Sequence, residues 1–331
     1  MIATASSHRN GFPDGFHEPD SDAATLLQAG WRKLPPQYRM PERIPTLAEA
    51  QDFCRRLAES HYENFHVATW FLPKKLRPHF QSIYAYCRIS DDLGDEVGNA
   101  AESLALLDFW NAELDACYRG ECRHPVFVAL AETIRVCNIP KEPFSDLLIA
   151  FRQDQTVSRY STMDNVLDYC RYSANPVGRL VLYACGYLDT ELFELSDHTC
   201  TALQLANFWQ DVREDERRNR IYLPQADMQR FGVTEEQIHQ RRFSPKFRAL
   251  MEYEVAYARD LFERGSALPD RVDRELAVDL KLFTRGGQEI LHAIVRQGYD
   301  VLQARPVISK PRKALLLLHA IGGKLFARPA A

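Results

Sequence analysis

The chain has 331 residues, of which 46% are hydrophobic and 26% charged, with 41 Lys and Arg against 45 Asp and Glu. This composition supports a large core, and a net charge of −4 excludes the strong basic excess that is typical of nucleic-acid binders. No apolar run approaches the roughly 18 residues of a membrane span or resembles a secretory signal, so we expect a cytoplasmic protein.

Residues 1–44 are rich in Pro, Gly, Asp, Ser and His, and turn signals such as Pro35-Pro36 interrupt them. We predict a loosely structured N-terminal arm over residues 1–44 and one all-helical domain over residues 45–331. The segment with helical periodicity begins with a capping-box pattern, Thr46-x-x-Glu49, and apolar residues then recur at every third or fourth position. Similar helix starts occur at Thr234 and at Ser244.

The first polar stripe lies in the helical segment that follows Pro78. At 100° per residue, Tyr84, Arg88, Asp91 and Asp95 fall within about 60° of one another, so they share one face of the helix. Asp91 and Asp95 are one turn apart, and like charges at this spacing repel each other. We therefore expect a cation near these carboxylates.

The second polar stripe lies in a helix that we expect to start at residues 196–197. It again occupies one helical face, and apolar residues surround it. Its members are Gln204, Asn207, Asp211 and Asp215. Polar groups amid so much apolar surface need partners.

Carboxylate and amide oxygens on two rigid helices suit Mg²⁺, which keeps several waters and completes its shell with substrate phosphates. One D-x-x-x-D stripe alone is more often a solvated helix face or a partner for arginine. The presence of two stripes indicates metal-diphosphate chemistry, with both stripes facing one cavity. The predicted fold is therefore an all-α single-domain bundle around a central cavity.

Three segments carry a resemblance to a known family: residues 84–95, residues 169–178 and residues 204–224. In order and spacing they resemble the squalene/phytoene synthase family, which joins prenyl diphosphates head to head, over roughly residues 50–320. The resemblance implies the isoprenoid synthase helical fold, Mg²⁺ as cofactor, and farnesyl diphosphate or presqualene diphosphate as substrate.

Residues 63–65, 173–178 and 207–212 look like the hydroxysqualene synthase branch of hopanoid-making bacteria. The branch implies Mg²⁺-dependent ionisation of presqualene diphosphate, rearrangement and capture by water to give hydroxysqualene. It also implies functional coupling to a presqualene diphosphate synthase and to a flavin-dependent reductase. The chain departs from the family's usual residues at Asn175-Pro176, Cys200 and Gln210.

The resemblance assigns the catalytic and metal-binding roles residue by residue. It implies Mg²⁺ binding by Asp91, Asp95, Asn207 and Asp211. It further implies that Asp215 supports the metal site and that Tyr169 lies near the reacting carbons. Aromatic faces could stabilise the carbocation by ~0.5–2 kcal/mol each, and the candidates are Phe65, Tyr84, Tyr169, Phe208 and Trp209.

The substrate-binding candidates come from the same comparison of motifs. They are His61, Asn64, Phe65, Tyr84, Arg88, Asn175, Gln204 and Gln210. Asn175 and Gln210 are polar where the family usually has other residues, so we hypothesise that one of them orients the water that captures the cation.

Three alternatives stay open. Within the family, the enzyme would condense two farnesyl diphosphates to presqualene diphosphate, squalene or dehydrosqualene. A di-iron carboxylate protein would use E-x-x-H pairs, which occur at Glu63/His66, Glu121/His124, Glu236/His239 and Glu289/His292. A helical scaffold would have no activity. Because a C30 chain hardly dissolves in water, we also expect peripheral contact with the inner face of the cell membrane.

Overall fold

The computed structural model describes residues 21–60, 73–309 and 312. In that part of the chain the only β pairing is a single bridge between Arg159 and Ile221, so the fold is all-α as predicted. No described helix is both long and apolar enough to cross a bilayer. The described helices, numbered in chain order, are α1 (Ser21–Lys33), α2 (Leu47–Ser60), α3 (Arg77–Asp95), α4 (Ala100–Tyr118), α5 (Pro125–Cys137), α6 (Glu142–Gln153), α7 (Met163–Ser173), α8 (Asn175–Ala184), α9 (Thr190–Arg217), α10 (Gln225–Phe231), α11 (Glu235–His239), α12 (Pro245–Arg264) and α13 (Arg274–Arg296).

The helix starts predicted at Thr46, Thr234 and Ser244 are present. Thr46 and Glu49 exchange hydrogen bonds at the start of α2, with Thr46 N donating to Glu49 Oε2 at 2.8 Å and Glu49 N donating to Thr46 Oγ1 at 3.3 Å. Thr234 forms a complete capping box at α11, and the Ser244 side chain accepts from the backbone of α12. Local sequence therefore sets these boundaries.

The described part of the predicted arm is ordered, which corrects the expectation of a loose segment there. Residues 21–33 form α1, which packs on α4, and Leu34 and Tyr38 just beyond it are buried. Trp31, at helical spacing from Leu27, packs against the core edge and anchors this helix. Residues 1–20 lie outside the described residues.

Helix α9 is longer than predicted. It begins at Thr190 and not at residues 196–197, because the Asp189 side chain accepts from Glu191 N at 2.9 Å and caps the helix there. Its 28 residues pack against α8, α12 and α13. The second half of α9 carries the second stripe, whose Gln204, Asn207 and Asp215 line the polar cavity described below.

The core has two main parts, and α3 and α9 lie where they meet. The first part contains the fully buried Tyr86 of α3 and Trp110 of α4. The second contains the fully buried Trp209 of α9 and Phe247 of α12. The faces of α3 and α9 that do not carry these core residues line the space between the two parts.

Candidate active site

A polar cavity of about 440 Å³ lies between α3, α6, α7 and α9. The two stripes, more than a hundred residues apart in sequence, both contribute to its wall. The predicted site residues that line it are Tyr84, Arg88, Asp91, Asp95, Tyr169, Gln204, Asn207 and Asp215. Asp154, Ser173, Arg220 and Tyr222 are further polar residues of its lining.

An apolar cavity of about 300 Å³ adjoins the polar one. The two cavities share Tyr84, Cys87 and Val177, and the apolar one continues between Ile83 on α3 and Leu203 on α9. A polar compartment that opens into an apolar one has the shape required by a ligand with a charged head and a hydrocarbon tail.

Arg88 is held in place within the first stripe by Asp92, a carboxylate outside the predicted stripe. Its Nε donates to Oδ2 of the buried Asp92 at 3.1 Å, and its Nη2 also contacts Asp92 Oδ1. Tyr38, from the segment predicted to be loose, donates its hydroxyl to the same Oδ2 at 2.7 Å. Arg88 keeps only a longer contact, 3.4 Å, with Asp91 Oδ2.

The carboxylates of the first stripe are crowded. Partial burial in the cavity wall and then repulsion from Asp95 raise the pKa of Asp91 to about 6. Two arginines beyond α9 reach Asp95, with Arg220 Nη2 at 3.4 Å and Arg218 Nη1 at 3.7 Å. Protein cations therefore balance part of this charge.

The second stripe is divided between two compartments. Asn207 donates to Asp211 Oδ2 at 2.9 Å, and Arg305 Nη2 donates to the same oxygen at 3.0 Å while its Nε contacts Oδ1. Asp211 lines a second polar cavity of about 300 Å³ together with Asp215, which also faces the first. Burial and repulsion from Asp211 raise the pKa of Asp215 to about 7. The remaining lining residues of this outer cavity are Glu214, Arg217, Arg218 and Arg305.

The donor set is compatible with Mg²⁺ bound together with a diphosphate. Within the described residues, no three His, Cys, Asp or Glu side chains converge closely enough to hold a metal unaided. The first stripe instead presents two carboxylates to the cavities, and the second presents two carboxylates and two amides. The raised pKa values of Asp91 and Asp215 indicate that nearby positive charge does not fully balance these carboxylates. Mg²⁺ commonly takes few protein ligands and completes its shell with water and phosphate oxygens.

Asp154 was missed by the sequence analysis. It accepts the Tyr169 hydroxyl at Oδ2 (2.9 Å), and burial raises its pKa to about 6 despite the nearby Arg220. Its buried Oδ1 has no hydrogen-bond partner among the described residues. No spacing rule links it to Tyr169, because a loop separates α6 from α7. The one local signal in the sequence is the polar run Gln-Asp-Gln at residues 153–155, which ends a largely apolar helical segment.

An aromatic group forms the wall around Tyr169. Phe208 and Tyr222 stack with ring centroids 3.7 Å apart, and Tyr169 lies 6.1 Å from the Phe208 ring. Trp209 is fully buried in the core and lines neither cavity, which corrects its selection as a cation-stabilising face.

Two predicted substrate-binding residues lie away from the cavity walls. Asn175 is buried and accepts from Thr201 Oγ1 at 2.9 Å. Gln210 is buried and donates to the Pro306 carbonyl at 2.6 Å. Both side chains are committed to internal hydrogen bonds, so neither is placed to orient a water in the cavity. The other candidates His61, Asn64 and Phe65 lie outside the described residues.

The described E-x-x-H pairs do not form a di-iron centre. Glu289 binds Arg312 through two contacts of 2.9 Å, His239 contacts Glu216 at 2.7 Å, and His124 caps α5. The Glu63/His66 pair lies outside the described residues.

Comparison with known proteins gives consistent matches. The squalene/phytoene synthase family matches residues 58–312. The solved structure of squalene synthase HpnC from Alicyclobacillus acidocaldarius has a TM-score of 0.74 at 46% identity, covering 83% of this chain and 98% of that chain. A dehydrosqualene synthase has a TM-score of 0.75 at 26% identity, covering 83% of this chain and 96% of that chain. The 15-cis-phytoene synthase of Synechococcus elongatus is 30% identical over 83% of this chain and 93% of its own length.

Proposed function

The chain belongs to the squalene/phytoene synthase family, and we propose that it is a hydroxysqualene synthase. In this proposal presqualene diphosphate ionises with the help of Mg²⁺, the C30 cation rearranges, and water captures it to give hydroxysqualene and diphosphate.

The observation that carries the proposed substrate class is the junction of the two cavities at Tyr84, Cys87 and Val177. A prenyl diphosphate would place its charged head among the two stripes and its hydrocarbon between α3 and α9. The choice of branch is supported by 46% identity to the squalene synthase HpnC, against 26% to the dehydrosqualene synthase and 30% to the phytoene synthase.

The two stripes would hold the metal and the leaving group. Mg²⁺ would be bound by Asp91, Asp95, Asn207 and Asp211, with Asp215 in support. When bound, the metal neutralises the charge that develops on the departing diphosphate. Arg88, fixed by Asp92, adds charge-assisted hydrogen bonds to the same oxygens.

Asp154 and Tyr169 would handle the proton of the capture step. When water attacks the cation, a carbon–oxygen bond forms and the water must lose a proton. The carboxylate of Asp154, which lines the polar cavity, can accept that proton, because its pKa of about 6 leaves it mostly ionised at neutral pH. We expect Asp154→Asn to lower hydroxysqualene formation about 100-fold.

The Asp154→Asn result is checked by product assay with Asp164→Asn on α7 as control. Asp164 lies in the exposed first turn of α7 and lines neither cavity, so its variant should retain full activity. Unchanged hydroxysqualene output from Asp154→Asn would remove the proposed proton acceptor.

The proposed reaction is tested by incubating the purified protein and Mg²⁺ separately with presqualene diphosphate and with farnesyl diphosphate, without NADPH. We expect hydroxysqualene from presqualene diphosphate and no lipid product from farnesyl diphosphate. Consumption of farnesyl diphosphate but not of presqualene diphosphate would favour the second candidate, condensation of two farnesyl diphosphates, which the phytoene synthase relatives support.

We also propose that the enzyme exchanges its lipids at a membrane. Val177 and Phe283 on the wall of the apolar cavity are 42% and 39% exposed, so this wall has apolar surface in contact with solvent. Presqualene diphosphate would come from a separate synthase, and a flavin-dependent reductase would consume the product. Flotation with anionic liposomes tests the membrane contact, and complete recovery in the lipid-free fraction would contradict it.

A further inference from the structure

The segment that follows α13 crosses the outside of α9 as a fixed strap. We define the C-terminal strap as residues 301–309. Its first two residues, Val301 and Leu302, are fully buried in the core. Gln297 at the end of α13 donates to the carbonyl of Ala304 at 2.6 Å, and Arg213 of α9 donates to the carbonyl of Gln303 at 2.5 Å. The strap backbone is therefore tied to both helices.

Arg305 is the strap residue that reaches the second stripe. Its guanidinium binds both oxygens of Asp211 and donates through Nη2 to Gln210 Oε1 at 3.0 Å. It thus occupies a carboxylate that the proposed function assigns to Mg²⁺. Metal loading at Asp211 must displace at least part of this contact.

Gln210 joins the strap to the stripe through both ends of its amide. The side chain is 5% exposed, its Nε2 donates to the Pro306 carbonyl at 2.6 Å, and its Oε1 accepts from Arg305. Only a neutral amide satisfies both neighbours, because glutamate cannot donate to a carbonyl and lysine or arginine would repel the guanidinium. The side chain is therefore matched to residues about 95 positions away in sequence.

We propose that Gln210 is a positioning residue that holds the strap so that Arg305 covers Asp211 before ligand binds and remains beside the metal-diphosphate afterwards. The anchor to Pro306 is independent of Asp211, so the strap keeps its place while the guanidinium changes partner. This inference rests on the proposed function only for the class of ligand, a metal-bound diphosphate.

The test uses Gln210→Met, which keeps the length of the side chain and removes both hydrogen bonds. The matched control is Gln303→Ala, which removes a strap hydrogen bond of the same kind, from Gln303 Nε2 to the Arg241 carbonyl (2.7 Å), without contact to Arg305. The affinity for inorganic diphosphate in the presence of Mg²⁺ is measured by calorimetry for both variants, for Arg305→Ala and for the Gln210→Met/Arg305→Ala double variant.

We expect Gln210→Met to weaken diphosphate binding about tenfold, because it removes hydrogen bonds that orient a charged group. Gln303→Ala should change the affinity less than twofold. In the Arg305→Ala background, Gln210→Met should have no further effect, because the two residues act through one contact. Hydrogen exchange of residues 301–309 should rise in Gln210→Met.

Wild-type diphosphate affinity in a folded Gln210→Met variant would overturn the inference, as would losses that simply multiply in the double variant. A purely structural role would lower the melting temperature of Gln210→Met and leave its affinity unchanged. If the wild-type protein converts neither prenyl diphosphate, the proposed function fails, whereas the calorimetric cycle with inorganic diphosphate still decides the role of Gln210.

Discussion

The two carboxylate stripes have the same D-x-x-x-D spacing and different surroundings. The two carboxylates of the first stripe, Asp91 and Asp95, line a single cavity. One arginine beside them, Arg88, comes from the same helix, where the buried Asp92 fixes it, and Arg218 and Arg220 reach Asp95 from just beyond α9. The second stripe is divided between two cavities, and its arginine, Arg305, arrives from the far end of the described chain. The first stripe thus has an arginine, Arg88, on its own helix. The second stripe depends on a distant segment that must be held beside α9 for Arg305 to reach Asp211.

The largest expected effect is on enzyme activity, which should fall further when the first stripe loses a carboxylate than when the second stripe does. We expect Asp91→Asn to lower kcat for diphosphate release about 10³-fold, because Asp95 is then the one carboxylate ligand left in the first stripe. Asp211→Asn should cost about 10²-fold, since Asn207 and Asp215 remain. Steady-state assays at saturating Mg²⁺ check the order. Asp260→Asn, a half-exposed residue of α12 paired with Arg264, serves as control. Equal losses of activity in Asp91→Asn and Asp211→Asn would contradict the expected difference between the two stripes.

A smaller effect is expected on the free energy of unfolding when the arginine beside each stripe is replaced. Arg88→Met leaves Asp92 buried with Tyr38 as its remaining partner, and we expect it to lower the free energy of unfolding by about 3 kcal/mol. Arg305→Met should cost less than about 1 kcal/mol, because Arg305 is 44% exposed and its ion pair is screened. Urea unfolding without metal measures both variants. A larger loss in Arg305→Met would mean that the strap, and not Arg88, is the main structural cation.

The smallest expected effect is a pH dependence in the absence of divalent metal. The pKa values of Asp91 (about 6) and Asp215 (about 7) are raised above those of the unfolded chain. Their protonated forms therefore favour the folded state, and the associated stability is fully present below about pH 4 and is lost as the pH rises through 6 and 7.

We expect the melting temperature of the wild type, relative to that of Asp215→Asn, to fall by a few degrees between pH 5 and pH 8 in EDTA. In a plot of melting temperature against pH, Asp91→Asn should remove the decrease near pH 6, and Asp215→Asn should remove the decrease near pH 7. Thermal scans at matched ionic strength measure this difference. A constant difference between the wild type and Asp215→Asn across the range would contradict the raised pKa of Asp215.

Much of the fold and half of the site could be predicted from short-range patterns. The capping boxes at Thr46 and Thr234 act within one helical turn, so their residues suffice to place a helix start. The stripe spacing likewise fixes which side chains share a face, because a helix has a set rotation per residue. The prediction that α9 starts at residues 196–197 was wrong because an earlier cap, Asp189, competes successfully.

Most of the helices, the two polar faces and the family could be read from the sequence, since each depends on residues a few positions apart or on the order of motifs. The groups that balance the carboxylates became visible with the folded chain. Tyr38, Asp154 and Arg305 reach the site across loops, and no periodicity connects them to the stripes. The tertiary structure likewise gave Gln210 a partner in the strap and not in the cavity. Burial and charge pairing depend on which segments meet in space, whereas helix geometry depends on neighbours in the chain.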